Sequence, residues 1–422
     1  MTAPHLLSAL DAAAAIRAGA LTSEVLVESC LARIEVRDAA VSAWIHLDAD
    51  AALAEARQRD REEPRSVLHG VPAGIKDIID THDMPTGYGS PIYTPDNRPA
   101  WDAAPVALLR EAGMVVLGKT VTTEFAMRHP GKTMNPANPT HTPGGSSQGS
   151  AAGVADNQVP VAIGTQTAGS VVRPASYCGA VGFKPTFGTV PRAGVKPISE
   201  TLDTVGSMAR TVADASAFVQ AMAGIPVGTV EARKARFSVC PSPAWGEVEP
   251  SSAHAMEAAR EAAQAGAGAL TLPPPCDEVL AAHDVIMPYE AARLLAWEYR
   301  TRRKEMSEAI RHVVETGLGI NHARYLWALG IREAARAAFE RVFGDVDALI
   351  TPAAPGEAPE GLGWTGSPEC NRIWTTLGVP CITLPGLTGE TGLPVGVQLV
   401  GRSGGDADLL AAAAWLHPHL AG

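Results

Sequence analysis

Short apolar runs alternate with longer amphipathic stretches along most of this 422-residue chain. Runs such as MVVLG, PVAIG and ALITP have the length of buried strands, whereas NHARYLWALGIREAARAAFERVFG has the period of an amphipathic helix. Alternating strands and helices favour an α/β fold in which helices cover both faces of a central sheet. No internal repeat or low-complexity linker interrupts the pattern, so we expect a single domain over residues 1–422.

The composition divides this domain into four parts. Residues 1–65 are rich in Ala and helical in period, with Leu26, Cys30 and Ile34 on one helix face and Thr22 as the N-cap. Residues 66–208 are dense in Gly, Pro, Ser and Thr, a texture typical of a catalytic core in which functional loops join buried strands. Residues 209–345 are mainly helical, and residues 346–422 return to strands and a closing helix that complete the sheet.

Charge and hydropathy exclude several classes of partner. The net charge of −11 repels phosphate backbones, so we expect no nucleic-acid partner. No apolar stretch approaches about 18 residues and the N-terminus lacks a signal-peptide pattern, so we expect no membrane partner and a cytoplasmic location. The six cysteines are scattered without a CxxC pair and no HExxH occurs, which predicts free thiols and no metal site.

Two glycine-rich motifs suggest chemistry that their surroundings do not support. Residues Gly113–Thr120 read GMVVLGKT and match the phosphate-binding P-loop, but Met-Val-Val-Leu favours a strand where that loop is needed. Residues Gly145–Gly149 read GSSQG and match a nucleophile elbow centred on Ser147. An elbow needs a strand directly before it, whereas NPANPTHTPG is a loop, and its downstream histidine would have to be His417 or His419.

A third arrangement combines two serine loops with a lysine. The loops are PGGSSQGS and GTQTAGSVVRP, and the lysine is Lys76 in GVPAGIKDIID. Ser170 follows Thr-Ala-Gly, so the backbone N–H groups of Thr167, Ala168, Gly169 and Ser170 can converge as an oxyanion hole. The apolar residues around Lys76 would lower its pKa toward the range that a general base requires. Taken singly, each piece is also compatible with an ordinary turn or a lysine at a strand end.

The combined pattern resembles the amidase signature family. The segments GVPAGIKDIID, PGGSSQGSAAGVA, GTQTAGSVVRPASYCGAVGFKPTFG, ALITPAAP and GLPVGVQLVGR occur in the family's order over about residues 20–415. The resemblance implies an α/β/α sandwich with a large mixed central sheet and a Ser–Ser–Lys triad without cofactor. The family's lysine falls on Lys76, its bridging serine on Ser146 and its acyl-forming serine on Ser170. It also implies a cis peptide at Gly145–Ser146.

Three residues depart from the family's commonest pattern without removing a catalytic group. Gln148 replaces a Gly, Gln166 an Asp and Ala168 a Gly. In addition, Arg173 lies three residues after the nucleophile, where many members carry an arginine two residues after it. These features are similar to the malonamidase-like branch of the family. We therefore expect Arg173 to bind a substrate carboxylate, with Thr165 and Gln166 adding polar contacts. The alternative is a purely structural arginine.

The resulting expectation is an amidase that hydrolyses a small, carboxylate-bearing amide to acid and ammonia through a seryl acyl-enzyme. A small-molecule amide is then the main partner, and a homodimer is expected because two-fold dimers are the commonest oligomers. One alternative is the catalytic A-type component of an amidotransferase built from several chains, or of a carboxybiuret-type hydrolase. Another is a non-catalytic binding scaffold that retains the fold, which the presence of all three catalytic residues disfavours.

Overall fold

A computed structural model describes residues 2–93, 96–226, 228–241, 248–266 and 269–420. Within these residues, ten strands form one mixed sheet in the order β1-β3-β2-β4-β6-β5-β9-β10-β8-β7. The strands are β1 (Trp44–Leu47), β2 (Pro72–Lys76), β3 (Val115–Thr120), β4 (Val161–Gln166), β5 (Val181–Lys184), β6 (Thr204–Ala209), β7 (Phe237–Val239), β8 (Ala348–Pro352), β9 (Cys381–Thr388) and β10 (Pro394–Val400). The predicted α/β fold with a large mixed sheet is confirmed.

The described residues also form fourteen α-helices. They are α1 (Ala9–Arg17), α2 (Ser23–Val41), α3 (Ala49–Arg59), α4 (Ala104–Glu111), α5 (Gln148–Ala155), α6 (Val172–Cys178), α7 (Val212–Ala223), α8 (Pro250–Ala262), α9 (Val279–Leu294), α10 (Ala296–Arg302), α11 (Glu308–Gly319), α12 (His322–Phe339), α13 (Glu369–Leu377) and α14 (Asp406–Leu416). None of the described helices is both long and apolar enough to cross a membrane.

The parallel pairing of the central strands brings the site residues to one edge of the sheet. Strand β2 runs parallel to β3 on one side and to β4 on the other. Parallel strands have their carboxyl ends at the same edge, so Lys76 at the end of β2 comes close to Thr165 and Gln166 at the end of β4. Helices α5 and α6, which follow the two serine loops, pack against each other.

The N-terminal helices form largely as the sequence predicts. The Thr22 hydroxyl accepts a hydrogen bond from the Val25 N–H and caps α2, while Leu26, Cys30 and Ile34 are buried on one face of that helix. The four-residue strand β1 was not expected, because its apolar alternation is too short to stand out between two helices. All six cysteines are free and buried, as their scattered positions predict.

Candidate active site

Lys76 is a fully buried lysine whose partners are hydroxyl and carbonyl oxygens. Its Nζ lies 2.7 Å from Ser146 Oγ and 2.7 Å from Thr165 Oγ1, with the Thr165 carbonyl oxygen at 3.4 Å. Burial lowers the Lys76 pKa well below its ordinary value of 10.5, and the more distant charge of Asp203 opposes this only in part. The neutral amine is therefore favoured, and a neutral amine 2.7 Å from a hydroxyl can accept its proton.

Ser146 lies in a loop held by backbone contacts on both sides. The Gly145–Ser146 peptide is cis, as the family resemblance implies. The Ser146 carbonyl accepts from the Thr123 N–H at 3.3 Å, and the Gly145 carbonyl accepts from the Arg173 guanidinium at 2.7 Å. These contacts fix the backbone while the Ser146 hydroxyl faces Lys76. Ser146 can thus pass a proton between Lys76 and a second group.

The Ser170 hydroxyl, unlike that of Ser146, has no hydrogen-bond partner among the described residues. The Ser170 side chain is 8% exposed. The hydrogen bond from Ser170 to Ser146 that a proton relay needs is therefore not formed here. Catalytic hydrogen bonds are commonly long in the absence of substrate and tighten in the reactive complex. Ser170 thus presents a free hydroxyl two residues before α6 begins.

Three consecutive carbonyls before Ser170 are each tied to a donor. His283 Nε2 donates to the Thr167 carbonyl at 3.1 Å, Thr375 Oγ1 to the Ala168 carbonyl at 2.6 Å, and the Arg173 N–H to the Gly169 carbonyl at 3.0 Å. In a trans peptide the N–H of the next residue points opposite to the carbonyl.

The N–H groups of Ala168, Gly169 and Ser170 therefore point away from those donors. No acceptor for these three N–H groups is present among the described residues. Such a run of N–H groups without a protein acceptor is compatible with an anion-binding nest, the geometry that the predicted oxyanion hole needs. The oxyanion hole of Thr167, Ala168, Gly169 and Ser170 stays a prediction, and for the Thr167 N–H the three carbonyl contacts give no orientation.

Gly169 is required by close packing, and this gives a first prediction. A Cβ at Gly169 would lie 2.3 Å from Asn371 Oδ1, closer than atoms approach in proteins. We expect Gly169→Ala to displace the nest and lower kcat/KM by about 100- to 1,000-fold, the loss that follows removal of an oxyanion-hole donor. Adding Asn371→Ala should recover part of the activity by making room. Gly330→Ala, in an open position on α12, is the control, and equal kcat/KM values for the two glycine variants would contradict the prediction.

Thr165 and Gln166 were expected to contact substrate, and the structure gives both of them other partners. The Thr165 hydroxyl accepts from Lys76 Nζ. Gln166 is fully buried; its Oε1 accepts from the N–H groups of Val171 and Val172, and its Nε2 donates to Thr375 Oγ1. Gln166 therefore caps the start of α6 with a side-chain oxygen, as an Asp would, and its extra N–H reaches α13.

Arg173 is buried and bound to protein oxygens rather than open to solvent. Its guanidinium donates to the Gly366 carbonyl at 2.9 Å, the Gly145 carbonyl at 2.7 Å and Thr365 Oγ1 at 3.3 Å. Burial lowers the Arg173 pKa to about 10, so the side chain is still charged at neutral pH. No carboxylate forms an ion pair with it in the described part of the chain, and its Nε has no hydrogen-bond partner there.

The two rejected motifs have structural roles. Residues 115–120 of the P-loop match form strand β3, and Lys119 within it is buried beside Asp77, with Nζ 2.9 Å from Oδ1. Ser147 of the elbow match is fully buried, and its hydroxyl bonds to the backbone N–H and carbonyl of Thr165. Neither motif is arranged for the chemistry that its letters suggest.

Sequence reasoning missed two side chains that contact the Ser170 loop from outside, and a third that holds one of them. Thr375 on α13 and His283 on α9 hold its carbonyls, and Arg372 Nε donates to His283 Nδ1 at 3.2 Å. The sequence offers no signal for them, because each is a single residue on an ordinary helix that lies far along the chain from the loop.

Comparison with known proteins gives one consistent family. The family model described as Amidase matches residues 25–410. The A subunit of a glutamyl-tRNA(Gln) amidotransferase from Chloroflexus aurantiacus is 36% identical over 97% of this chain and 96% of its own length. A solved peptide amidase from Stenotrophomonas maltophilia is 30% identical, covers 98% of this chain and 96% of its own, and superposes with a TM-score of 0.81. Another structure, described as that of an amidase, is 30% identical with 98% and 99% covered and a TM-score of 0.88.

Proposed function

This chain belongs to the amidase signature family, and we propose that it hydrolyses the C–N bond of a small, carboxylate-bearing amide through an acyl-enzyme on Ser170. The observation that carries this proposal is the buried contact of 2.7 Å between Lys76 and Ser146 at the edge of the sheet that also holds the Ser170 loop. A depressed lysine pKa beside a serine loop is the arrangement that an acyl-transfer enzyme needs.

The mechanism follows from the position of each group. Neutral Lys76 takes the proton of Ser146, which takes that of Ser170 as Ser170 Oγ attacks the amide carbonyl carbon. The oxyanion that forms is stabilised by the N–H groups of Ala168, Gly169 and Ser170. Ser146 then returns a proton to the leaving amine, the C–N bond breaks, and ammonia departs from a seryl ester. Water attacks that ester by the same relay, releasing the acid and restoring Ser170.

Activity of the purified chain alone is the direct test. We expect it to release ammonia from a panel of short primary amides and to become labelled by a fluorophosphonate on Ser170. The binding-scaffold alternative expects neither result. A chain that folds, yet neither turns over any amide nor reacts with the probe, would exclude the proposed reaction.

A substrate carboxylate is proposed because Arg173 is a buried cation without an anionic partner among the described residues. Burying an unpaired charge is unfavourable, and a ligand carboxylate would supply the missing countercharge. The Arg173 side chain also holds Gly145, directly before Ser146, so an anion bound to it would sit beside the catalytic serines. A malonamate-like half-amide has the required short distance between carboxylate and amide.

Substitution of Arg173 separates this binding role from its structural one. We expect Arg173→Lys and Arg173→Ala to lower kcat/KM for a malonamate-like half-amide about 10- to 100-fold more than for a neutral amide of equal length, because a charge-assisted fork is lost only for the anion. If the substitutions removed only the contacts to Gly145 and Gly366, kcat/KM would fall equally for the half-amide and the neutral amide. An unchanged ratio between the two substrates would therefore reject the carboxylate site and leave a structural arginine.

The catalytic subunit of an amidotransferase is the second candidate. It is favoured by the 36% identity to a protein of that name over nearly the full length of both chains. In this alternative the ammonia is passed to an acceptor on a partner protein. Free ammonia release by the isolated chain, at a rate that added amidotransferase partner proteins do not change, would argue against it. For the isolated enzyme we propose a homodimer, and light scattering should then report twice the mass of one chain.

A further inference from the structure

We propose that Thr375 and His283 are positioning residues for catalysis, which set the oxyanion hole by holding the outer face of the Ser170 loop. The inference rests on the proposed amidase reaction, since an oxyanion hole matters only if an oxyanion forms. Neither side chain belongs to the triad, and both act through the loop backbone. They come from α13 and α9, which lie far along the chain from the loop.

Thr375 connects the two sides of the loop through a single hydroxyl. Its Oγ1 accepts from Gln166 Nε2 at 2.9 Å and donates to the Ala168 carbonyl at 2.6 Å. Gln166 in turn accepts from the N–H groups at the start of α6. The Thr375 hydroxyl therefore couples the cap of α6 to the peptide whose N–H, on Gly169, belongs to the proposed oxyanion hole.

His283 is fixed in one neutral tautomer by its neighbours. Arg372 Nε can only donate, so His283 Nδ1 accepts from it at 3.2 Å and the ring proton resides on Nε2. That proton is donated to the Thr167 carbonyl at 3.1 Å. Burial, with the nearby Arg372 charge, lowers the His283 pKa to about 3, so the ring stays neutral over the working range of pH. The Ala168 N–H is thereby directed away from α9.

Arg372 is itself held by acidic groups on both helices. Its guanidinium contacts Glu369 Oε1 at 2.6 Å on α13, Asp284 on α9, and the Leu280 carbonyl at 3.1 Å. These bonds orient the Arg372 Nε–H toward His283. The chain of contacts from the two helices to the loop is continuous, and every member has a polar partner with defined geometry.

A positional role predicts a particular kinetic signature. The nest binds the oxyanion more strongly than the ground-state carbonyl, so a displaced nest lowers kcat while leaving KM nearly unchanged. It also weakens inhibitors that form a tetrahedral adduct with Ser170, such as a boronic acid. A side chain needed only for folding would instead reduce the amount of active enzyme. It would leave the kcat and KM of the folded molecules, and their affinity for the inhibitor, unchanged.

The α13 helix offers a matched pair of substitutions. Thr376, the next residue, is equally buried, but its hydroxyl donates to the Arg372 carbonyl within the helix and not to the loop. We expect Thr375→Val to lower kcat by about 10- to 100-fold and boronic-acid affinity in parallel, as small misplacements of catalytic groups do. Thr376→Val should leave both values near wild type, and Thr375→Ser, which keeps the hydroxyl, should restore most of the loss.

A second pair on α9 keeps the test decisive if Thr375→Val does not fold. His283→Phe removes the donor to Thr167, while His283→Gln retains an N–H at the position of Nε2 and should recover kcat. Equal kcat and inhibitor affinity for Thr375→Val and Thr376→Val, or for His283→Phe and wild type, would overturn the inference while the amidase reaction stands. Absence of both amide turnover and fluorophosphonate labelling in the wild type would overturn the proposed function together with it.

Discussion

Replacing Ser170 by Ala is expected to remove acyl-enzyme formation and to lower kcat/KM by about 10⁵- to 10⁶-fold, the loss seen when a serine nucleophile is deleted. The reason is that, among the serines of the two loops, Ser170 is the one whose hydroxyl makes no hydrogen bond to a described residue, and the N–H groups of the proposed oxyanion hole lie beside it. In the proposed triad the three groups act as a unit, so the remaining Lys76–Ser146 pair would have no nucleophile to activate. Intact-mass spectrometry after treatment with a fluorophosphonate should show one label on the wild type and none on the Ser170→Ala variant.

Ser147→Ala is the matched control, because Ser147 is a neighbouring serine in the elbow motif. Its hydroxyl is buried against the backbone of Thr165, where it stabilises the strand end that also contacts Lys76. We expect this variant to keep the label and to lose activity only modestly. A label that disappears with Ser147→Ala and persists with Ser170→Ala would reverse the assignment of the nucleophile.

The sequence predicts a triad because its candidate residues lie in contiguous motifs whose local structure is encoded nearby, and the structure brings two of them, Lys76 and Ser146, into contact. Lys76 ends an apolar run that becomes β2, and the two serines lie in loops whose glycines allow a positive φ at Gly144 and a close approach to Asn371 at Gly169. The apolar runs around them also predicted the sheet. Features that depend on a few neighbouring residues, such as the N-cap of α2 by Thr22, were predicted as well.

The contacts that shape the site could not be predicted, because they join positions that are distant along the chain. Thr375 is 207 positions from Ala168, and His283 is 116 positions from Thr167. A side chain on a helix face gives no sign of which carbonyl it will meet. Gln166 shows the same limit: its place in the motif suggested a substrate contact, whereas the fold turns its amide toward α6 and α13.

Lys76 illustrates how function can oppose stability in this site. Its folded-state pKa lies below its ordinary value of 10.5. At a pH between the folded-state pKa and 10.5, the unfolded chain therefore binds a proton that the folded protein does not. The contribution of Lys76 to the free energy of unfolding therefore rises with pH through that window and levels off above about 10.5. At neutral pH the buried amine destabilises the fold relative to an apolar side chain of the same length.

We therefore expect Lys76→Met to lower kcat/KM by about 10⁴-fold without lowering stability. In the wild type kcat/KM should rise with pH as Lys76 loses its proton, with an apparent pKa well below that of an ordinary lysine. This rise of kcat/KM with pH should be absent from the Lys76→Met variant. Urea denaturation from about pH 6 to about pH 10 should show the pH-dependent gain in stability for the wild type and a flatter profile for Lys76→Met.

Lys119→Met is the matched control, because Lys119 is an equally buried lysine on the adjacent strand whose charge is paired with Asp77 at 2.9 Å. Removing it leaves the Asp77 carboxylate buried without its cation, which typically costs about 3 to 5 kcal/mol. The two substitutions should thus have opposite consequences: Lys76→Met gives a stable, inactive protein, and Lys119→Met a destabilised one. If Lys76→Met were as destabilised as Lys119→Met, or kept the wild-type pH profile, Lys76 would not be the neutral base of the reaction.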